Sequence, residues 1–268
     1  MPNNSWDHMR SIHTARKGDR VPDIELIRRY LRRFGYLDVP GGTELVTEVV
    51  DEATSSALET LQEFFGLPRT GEFDEATREV MARPRCGLPD LGNSAAFVTR
   101  CPWRQATLSF AFDIGTLDVA GTTEFQAARN AITTWQVVCP MPFSEVGANR
   151  NPNVLIGWRP PNDPDWDMTG GVIAHADFPP DCDIVTNTLP KPVHFDDEHL
   201  WNTTGAASAF DVESVALHEF GHILGLQHSN ISSAVMFPTI ASGEIKRELA
   251  QDDRDGIADL YSDWVSAV

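Results

Sequence analysis

The apolar positions of this chain change period along its length. Between Asp23 and Arg83 the spacing is helical. Ile24, Ile27, Leu31 and Phe34 recur at the three- and four-residue intervals that share one helix face, and Gly35 closes the segment. A second helix is expected from Glu52 to Phe65, with Ala57, Leu58, Leu61 and Phe65 inward, and Gly66 and Thr70-Gly71 mark the turns after it. Asp74 can cap a short third helix that ends before Pro84, since its carboxylate can accept from the free amides of the first turn. From Pro84 to Arg104 prolines and glycines erase the period, and the stretch reads as a linker. Beyond it Thr107–Phe112 alternates as a strand does, and Val154–Trp158 and Gly171–Ala174 are further strand candidates. Thr123 and Gln126 have the spacing of a capping box, opening a helix lined by Phe125, Ala128, Ile132 and Trp135. Asp211 is placed to cap a helix through His222, and a last helix from Gln251 to Tyr261 turns Ile257 and Leu260 inward. Met1–Arg20 has no such period and is expected to be a disordered leader. Strands mixed with helices predict an α/β or α+β domain after a small helical bundle.

Composition narrows the partners. The 268 residues are 41% hydrophobic, enough for a substantial core, and the net charge is −18. Phosphate binding needs clustered Lys and Arg, so nucleic acid is excluded as a partner. No run of 18 apolar residues is present, so no membrane span is expected. The polar Met1–Arg20 lacks the apolar core of a secretory signal. Cys86, Cys101, Cys139 and Cys182 are too few for a disulfide scaffold. Spacing supports no bridge, a Cys101–Cys139 pair included, and Cys101, Cys139 and Cys182 are expected as small buried or free thiols.

One segment carries most of the chemistry. His218-Glu219-Phe220-Gly221-His222-Ile223-Leu224-Gly225-Leu226-Gln227-His228 sets three imidazoles around one carboxylate. Residues four apart share a helix face, so His218 and His222 can reach one metal ion together. Glu219 projects beside them, placed to hold a water. Gly225 lets the chain leave the helix at positive φ and swing His228 back as a third ligand. Three neutral imidazoles and an open position describe a catalytic zinc site rather than a closed structural one.

This extended motif resembles that of the metzincin metalloproteases, and its flanks resemble the matrixin (matrix metalloproteinase) branch. Ser229 follows the third histidine directly. Met236, within Ala234-Val235-Met236-Phe237-Pro238, resembles the Met-turn residue that forms an apolar floor beneath the histidines. Upstream, Pro84-Arg85-Cys86-Gly87-Leu88-Pro89-Asp90 resembles the matrixin cysteine switch. That resemblance implies that Cys86 fills the open zinc position in a latent form, while the charges of Arg85 and Asp90 hold the loop in shape. The helical unit before it, including Leu67–Asp74, resembles matrixin propeptides and, through them, peptidoglycan-binding domains. The likeness spans residues 24–262. It implies a leader at 1–20, a helical propeptide at 21–83, and a cysteine-switch and activation linker at 84–104. Residues 105–268 would form an α+β (α/β-type) metzincin domain with a twisted, mostly parallel sheet and long helices. The zymogen would be freed by cutting after Cys86, with a mature chain starting near Phe97. No hemopexin-like or fibronectin-like insert is visible, and the length leaves room for propeptide and catalytic domain alone.

The same resemblance implies further sites. A second, structural zinc would use His175, in Ile173-Ala174-His175-Ala176, and His194, in Val193-His194-Phe195-Asp196. The family's remaining pair falls on Pro160 and Asn162, which cannot bind zinc. Asp163 or Asp165 would have to substitute, giving three ligands where four are usual; otherwise His175 and His194 are hydrogen-bonded strand residues. Calcium is implied at Asp167 and Asp196. The family's glutamate position is His199 here, so Glu198 would serve after a small shift; the alternative is a solvated acidic loop. Ile173 and Ala174 would pair with extended substrate, and Pro238 and Thr239 would line the S1′ pocket. Ser214 would sit at its base, leaving room for a large apolar P1′ side chain. Protein substrates, an activating protease, secretion to an extracellular-matrix setting and a monomeric state also follow from the resemblance. Two rivals remain: a glycan tether with the protease as cargo, which the Cys86 motif disfavours, and an inactive scaffold, which the intact Glu219 and histidine trio disfavour.

Overall fold

The N-terminal helices form where the apolar period places them. The computed structural model describes residues 6–38, 48–91 and 101–262. They fall into two units: residues 1–84, 88–96 and 169–171, and residues 85–87, 97–168 and 172–268. The first unit holds α1 (Ile24–Arg33), α2 (Glu52–Phe64) and α3 (Glu75–Met81). Asp51 and Asp74 cap α2 and α3, their carboxylates accepting from the amides of Thr54 and Thr77. Ile27, Tyr30, Leu31, Leu58, Leu61 and Phe73 make the core.

The expectation of a disordered leader fails for the described part of residues 1–20. Asp7–Ser11 is a 3-10 turn, and Trp6, Met9, Ile12 and Ala15 are buried. Their spacing of three suits that tighter helix, and the apolar stripe is diluted by the polar residues between. Trp6 packs edge-on to Tyr30, ring centroids 5.2 Å apart.

The second unit is built on a six-stranded sheet. Its strands are β1 (Arg85–Cys86), β2 (Leu108–Phe112), β3 (Phe143–Glu145), β4 (Val154–Arg159), β5 (Val172–Ala176) and β6 (Lys191–Asp196). The order is β1-β5-β6-β4-β2-β3, parallel throughout except for the β5–β6 pair. Helix α4 (Thr123–Gln136) packs on α5 (Val212–Ile223), and α5 on β5 and β6. Two short strands, β7 (Trp201–Asn202) and β8 (Phe210–Asp211), precede α5, and α6 (Gln251–Leu260) follows it. All residues of β5 and β6 are buried, as expected of strands covered on both faces. Trp135 of α4 ties the helices together, its indole N–H donating to the Leu217 carbonyl at 2.7 Å. Among the described residues no helix is long and apolar enough to cross a membrane.

Three local expectations are corrected. The cap of α4 is Thr122, without a side-chain bond, because the Thr123 hydroxyl turns back to the Ala120 carbonyl instead. The 84–104 stretch is not structureless: Arg85 and Cys86 form the sheet edge, and Trp103 is buried with its indole donating to the Ile223 carbonyl at 2.6 Å. Cys101 and Cys182 are not thiols but a disulfide, with Cα atoms 6.0 Å apart. Cys139 is a buried free thiol whose pKa burial pushes up to about 11. Phe97, the expected mature terminus, lies outside the described residues.

Candidate active site

Helix α5 sets the first two imidazoles because its start and stop are both chemically fixed. Asp211 caps it, accepting from the Ser214 amide at 2.9 Å. Burial favours the neutral acid, but bonds from Arg247 and from the Ser214 side chain and amide outweigh it and hold the carboxyl below its usual range. At the other end Gly225 has φ of +102°. The Leu226 amide bonds the Gly221 carbonyl and the Gly225 amide bonds the His222 carbonyl, completing a Schellman turn. The chain then returns with His228.

The three rings close on one point. Centroids lie 4.8 Å apart for His218–His222, 5.2 Å for His218–His228 and 4.8 Å for His222–His228. His218 Nδ1 is 2.7 Å from the Val235 carbonyl oxygen and His222 Nδ1 is 2.7 Å from that of Leu226. A carbonyl can only accept, so both Nδ1 atoms carry the proton and both Nε2 atoms present lone pairs. Burial pushes the His218 pKa down to about 3, which keeps the ring neutral.

Those two lone pairs face each other at 3.1 Å. The arrangement is repulsive unless a cation lies between them. Tetrahedral zinc at its usual nitrogen distance needs the nitrogens about 3.3 Å apart. His218, His222, His228 and Cys86 present ligand atoms within 4.8 Å of one another, all buried. The residues therefore fit zinc.

Glu219 completes the site. Its side chain is wholly buried, and burial lifts its pKa to about 8, partly opposed by the Cys86 thiol. Oε2 accepts from Cys86 Sγ at 3.6 Å, while Oε1 is buried without a hydrogen-bond partner. Beneath the motif lies Met236: a methyl added at Gly221 would collide with its sulfur. The Met236 sulfur thus lies against Gly221 of the histidine helix.

Cys86 is held between two walls. Its amide donates to the Pro238 carbonyl at 3.0 Å, and the Gly87 amide to the Ala174 carbonyl at 2.9 Å. Cys86 Sγ is 3.5 Å from His222 Nε2. β1 thereby takes the edge of β5 that carries Ile173 and Ala174, and Arg85 bridges to Thr239. Arg85 is buried, its Nε donating to the Cys86 carbonyl at 3.2 Å. Asp90, in the first unit, accepts from the Tyr36 hydroxyl at 2.6 Å. Ser214 is buried, its hydroxyl donating to Asp211 and accepting from the Lys246 amide.

A second group gathers Asp163, His175 and His194. The histidines stand opposite each other on β5 and β6. His175 Nε2 and His194 Nδ1 approach one oxygen of Asp163, at 3.0 and 2.6 Å. Of the two aspartates able to substitute, Asp163 is the one brought in; Asp165 stays 3.8 Å from His194. Burial disfavours the Asp163 charge, yet the two histidine bonds overcome it and hold its pKa far below the usual range. No fourth His, Cys or acidic ligand joins this group among the described residues.

Asp167, Asp196 and Glu198 are not gathered into such a group among the described residues. Asp196 is buried and accepts from the Glu198 amide; burial raises its pKa to about 7, with the nearby Glu198 and Asp197 charges adding to the shift. His199 bonds the Val172 carbonyl at 3.2 Å.

Two elements of the site were not foreseen. Asp253 of α6 accepts from the amides of Val235, Met236 and Ala250, anchoring the methionine turn. The one local signal is an acid three residues into a helix. Lys246 lines the recess beside His218 and Glu219, and nothing in its neighbourhood in sequence marks it.

Comparison with known proteins agrees with this geometry. Residues 102–262 match the family model described as Matrixin, and residues 20–81 match a putative peptidoglycan binding domain. The chain is 30% identical to metalloendoproteinase 5-MMP of Arabidopsis thaliana, over 96% of this chain and 76% of that protein. It is 33% identical to human matrix metalloproteinase-27, over 92% of this chain and 47% of that protein. Bovine interstitial collagenase is 33% identical over 89% of this chain and 49% of its own length.

Proposed function

The chain belongs to the matrixin family and is a metalloendopeptidase, and from that premise we propose that it is a latent zinc enzyme. His218, His222 and His228 hold the ion, Cys86 supplies a fourth donor in the latent form, and Glu219 moves the proton. Zinc bound there supplies Lewis acidity, polarising the scissile carbonyl and lowering the pKa of water toward about 7. Glu219 accepts the proton of the attacking water and delivers it to the leaving amine. Burial alone raises the Glu219 pKa, and a dication held by the neighbouring histidines would bring it back down, leaving the carboxylate that accepts the proton. His218 and His222 keep their orientation through the Val235 and Leu226 carbonyls. No protein nucleophile is needed.

The observation that carries this reading is the pair of Nε2 lone pairs 3.1 Å apart beside the buried, unpartnered Glu219 Oε1. The substrate strand would take the β5 edge at Ile173 and Ala174, and its P1′ side chain would enter between Pro238, Thr239 and Ser214. Removal of the segment around Cys86 by another protease would then open the site. The Cys101–Cys182 disulfide supports an oxidising, extracytoplasmic setting, in keeping with secretion. Asp163, His175 and His194 offer three donors for a second zinc, completed from solvent. The buried Asp196 carboxyl, its pKa raised by burial, supports a calcium site that Asp167 and Glu198 would complete only by moving toward it. A monomer is the expected state.

Three variants test the reading. Glu219→Ala should retain one equivalent of zinc at the histidines and lose peptide hydrolysis; normal turnover would remove Glu219 as the base. Cys86→Ser should cleave casein without prior trimming, and a variant that stays latent would remove the switch. Two zinc equivalents per chain, falling to one in His175→Ala, would establish the second ion.

A further inference from the structure

We propose that Lys246 sets P1′ specificity, favouring side chains that end in a hydrogen-bond acceptor, glutamate and glutamine, over purely apolar ones. The inference rests on the protease reading above and deepens it. The recess beside His218 and Glu219 encloses about 300 Å³, part of it open to solvent, and Lys246 lines it together with Val215, Phe237 and Thr239. Apart from Glu219 and the imidazole of His218, the other lining side chains are apolar or carry a hydroxyl or thiol. Lys246 is therefore the one lysine or arginine among the lining residues.

The position of that cation is fixed. The Lys246 amide donates to Ser214 Oγ at 2.8 Å, which joins its backbone to the base of the pocket. Its ammonium lies 5.2 Å from the centroid of the Phe237 ring and donates to the carbonyls of Ser232 at 2.8 Å and Ala234 at 3.5 Å. These neutral acceptors orient the ammonium without cancelling its charge. The nearest carboxylate, Glu244, stands 3.7 Å away and is itself 40% exposed. Burial lowers the Lys246 pKa, with Glu244 and Asp253 opposing, so the charge remains incompletely compensated.

A leucine entering this recess removes more water from the ammonium and gives no acceptor in return. A glutamate or glutamine side chain is longer than leucine and ends in an oxygen that makes a charge-assisted bond. Selection by a buried polar partner discriminates more sharply than selection by size. The room beside Ser214 is thus a recess for a long P1′ side chain whose far end meets a positive charge.

The test uses the zinc-loaded full chain carrying Cys86→Ser and a set of peptides that differ only at P1′: Leu, Met, Gln and Glu. The parent should cleave the Glu and Gln peptides with kcat/KM at least equal to that for Leu. Lys246→Met should lower the Glu-to-Leu ratio about tenfold or more, while Lys246→Arg, which keeps the cation, should hold it. A ratio that changes less than about twofold in Lys246→Met overturns the assignment. So does a parent that prefers Leu over both Glu and Gln by more than about tenfold, a result that needs no Lys246 variant to fold. If the parent cleaves none of the peptides, and still cleaves none after the segment around Cys86 has been trimmed away, the zinc-site reading fails and takes this inference with it.

Discussion

Gly225→Ala should damage both stability and zinc retention, for reasons that can be worked from its surroundings. Gly225 has φ of +102°, where a side chain strains the backbone by about 1–2 kcal/mol. The added methyl would lie 2.7 Å from the Cys101 carbonyl oxygen and 2.8 Å from Leu260 Cδ2. The leucine end can give way. The carbonyl is backbone, and its residue is tied to Cys182 by the disulfide. Overpacking of this kind costs about 1–3 kcal/mol, so the total is about 2–5 kcal/mol. Domains are stable by only about 5–15 kcal/mol, so the loss is severe. Relief requires the turn to shift, and the turn carries the Leu226 carbonyl that orients His222 and leads into His228. Urea unfolding of the zinc-loaded protein measures the first effect, and zinc retention against a chelator measures the second. Gly66→Ala is the control: Gly66 has φ of +67° with nothing within 4 Å of the added methyl, so it reports backbone strain alone. A Gly225→Ala protein that loses no more stability than Gly66→Ala, and holds zinc as well as the parent, refutes the reasoning.

Three further outcomes are expected. Replacing Cys101 and Cys182 by serine removes a cross-link between residues 81 apart in sequence. Chain entropy puts the loss at up to about 4.5 kcal/mol, and an unchanged urea midpoint would contradict it. Burial raises the Asp211 pKa, but the Arg247 and Ser214 bonds carry it below the ordinary aspartate value of about 3.9, so its contribution is complete above that value and is lost as pH falls through the folded pKa. Asp211→Asn should therefore lower stability at neutral pH and flatten its decline in acid; an acid limb as steep as the parent's would show that this carboxyl does not contribute. Calcium added to chelated, zinc-reloaded protein should raise Tm, and a flat response would remove the calcium site.

What could be read in the sequence was what is encoded locally. Helix α5 has its cap, its four-residue histidine spacing and its glycine stop within a few residues of each other, so its site was legible before any fold was known. The same holds for Asp74 and α3. β1 was not legible, because two residues have no period and Arg85–Cys86 is a strand only through the partners it finds in β5 and Pro238. β6 was legible as a metal-binding segment or, in the alternative, as a strand at His194, but not in its six-residue extent, since Lys191 and Pro192 argue against a central strand. Lys191 is tolerated there because Asp177 and Asp183 meet its ammonium, a pairing made across a loop. The disulfide and the grip of Asp253 on the methionine turn likewise join residues that sequence order keeps apart.

That distinction bears on how latency is divided. In the proposed latent form the segment at Cys86 would block the site in two ways: its thiol stands among the imidazoles, and its backbone occupies the β5 edge and the Pro238 carbonyl. The two backbone bonds, Cys86 to Pro238 and Gly87 to Ala174, contribute about 0.5–1.5 kcal/mol each. A thiolate on zinc is a far stronger tether, because structural zinc sites bind with about 10–16 kcal/mol spread over four ligands. Cys86→Ser removes the larger share and leaves the strand in place. Any gain in activity when that variant is trimmed therefore reports the backbone share alone, and it should be the smaller of the two.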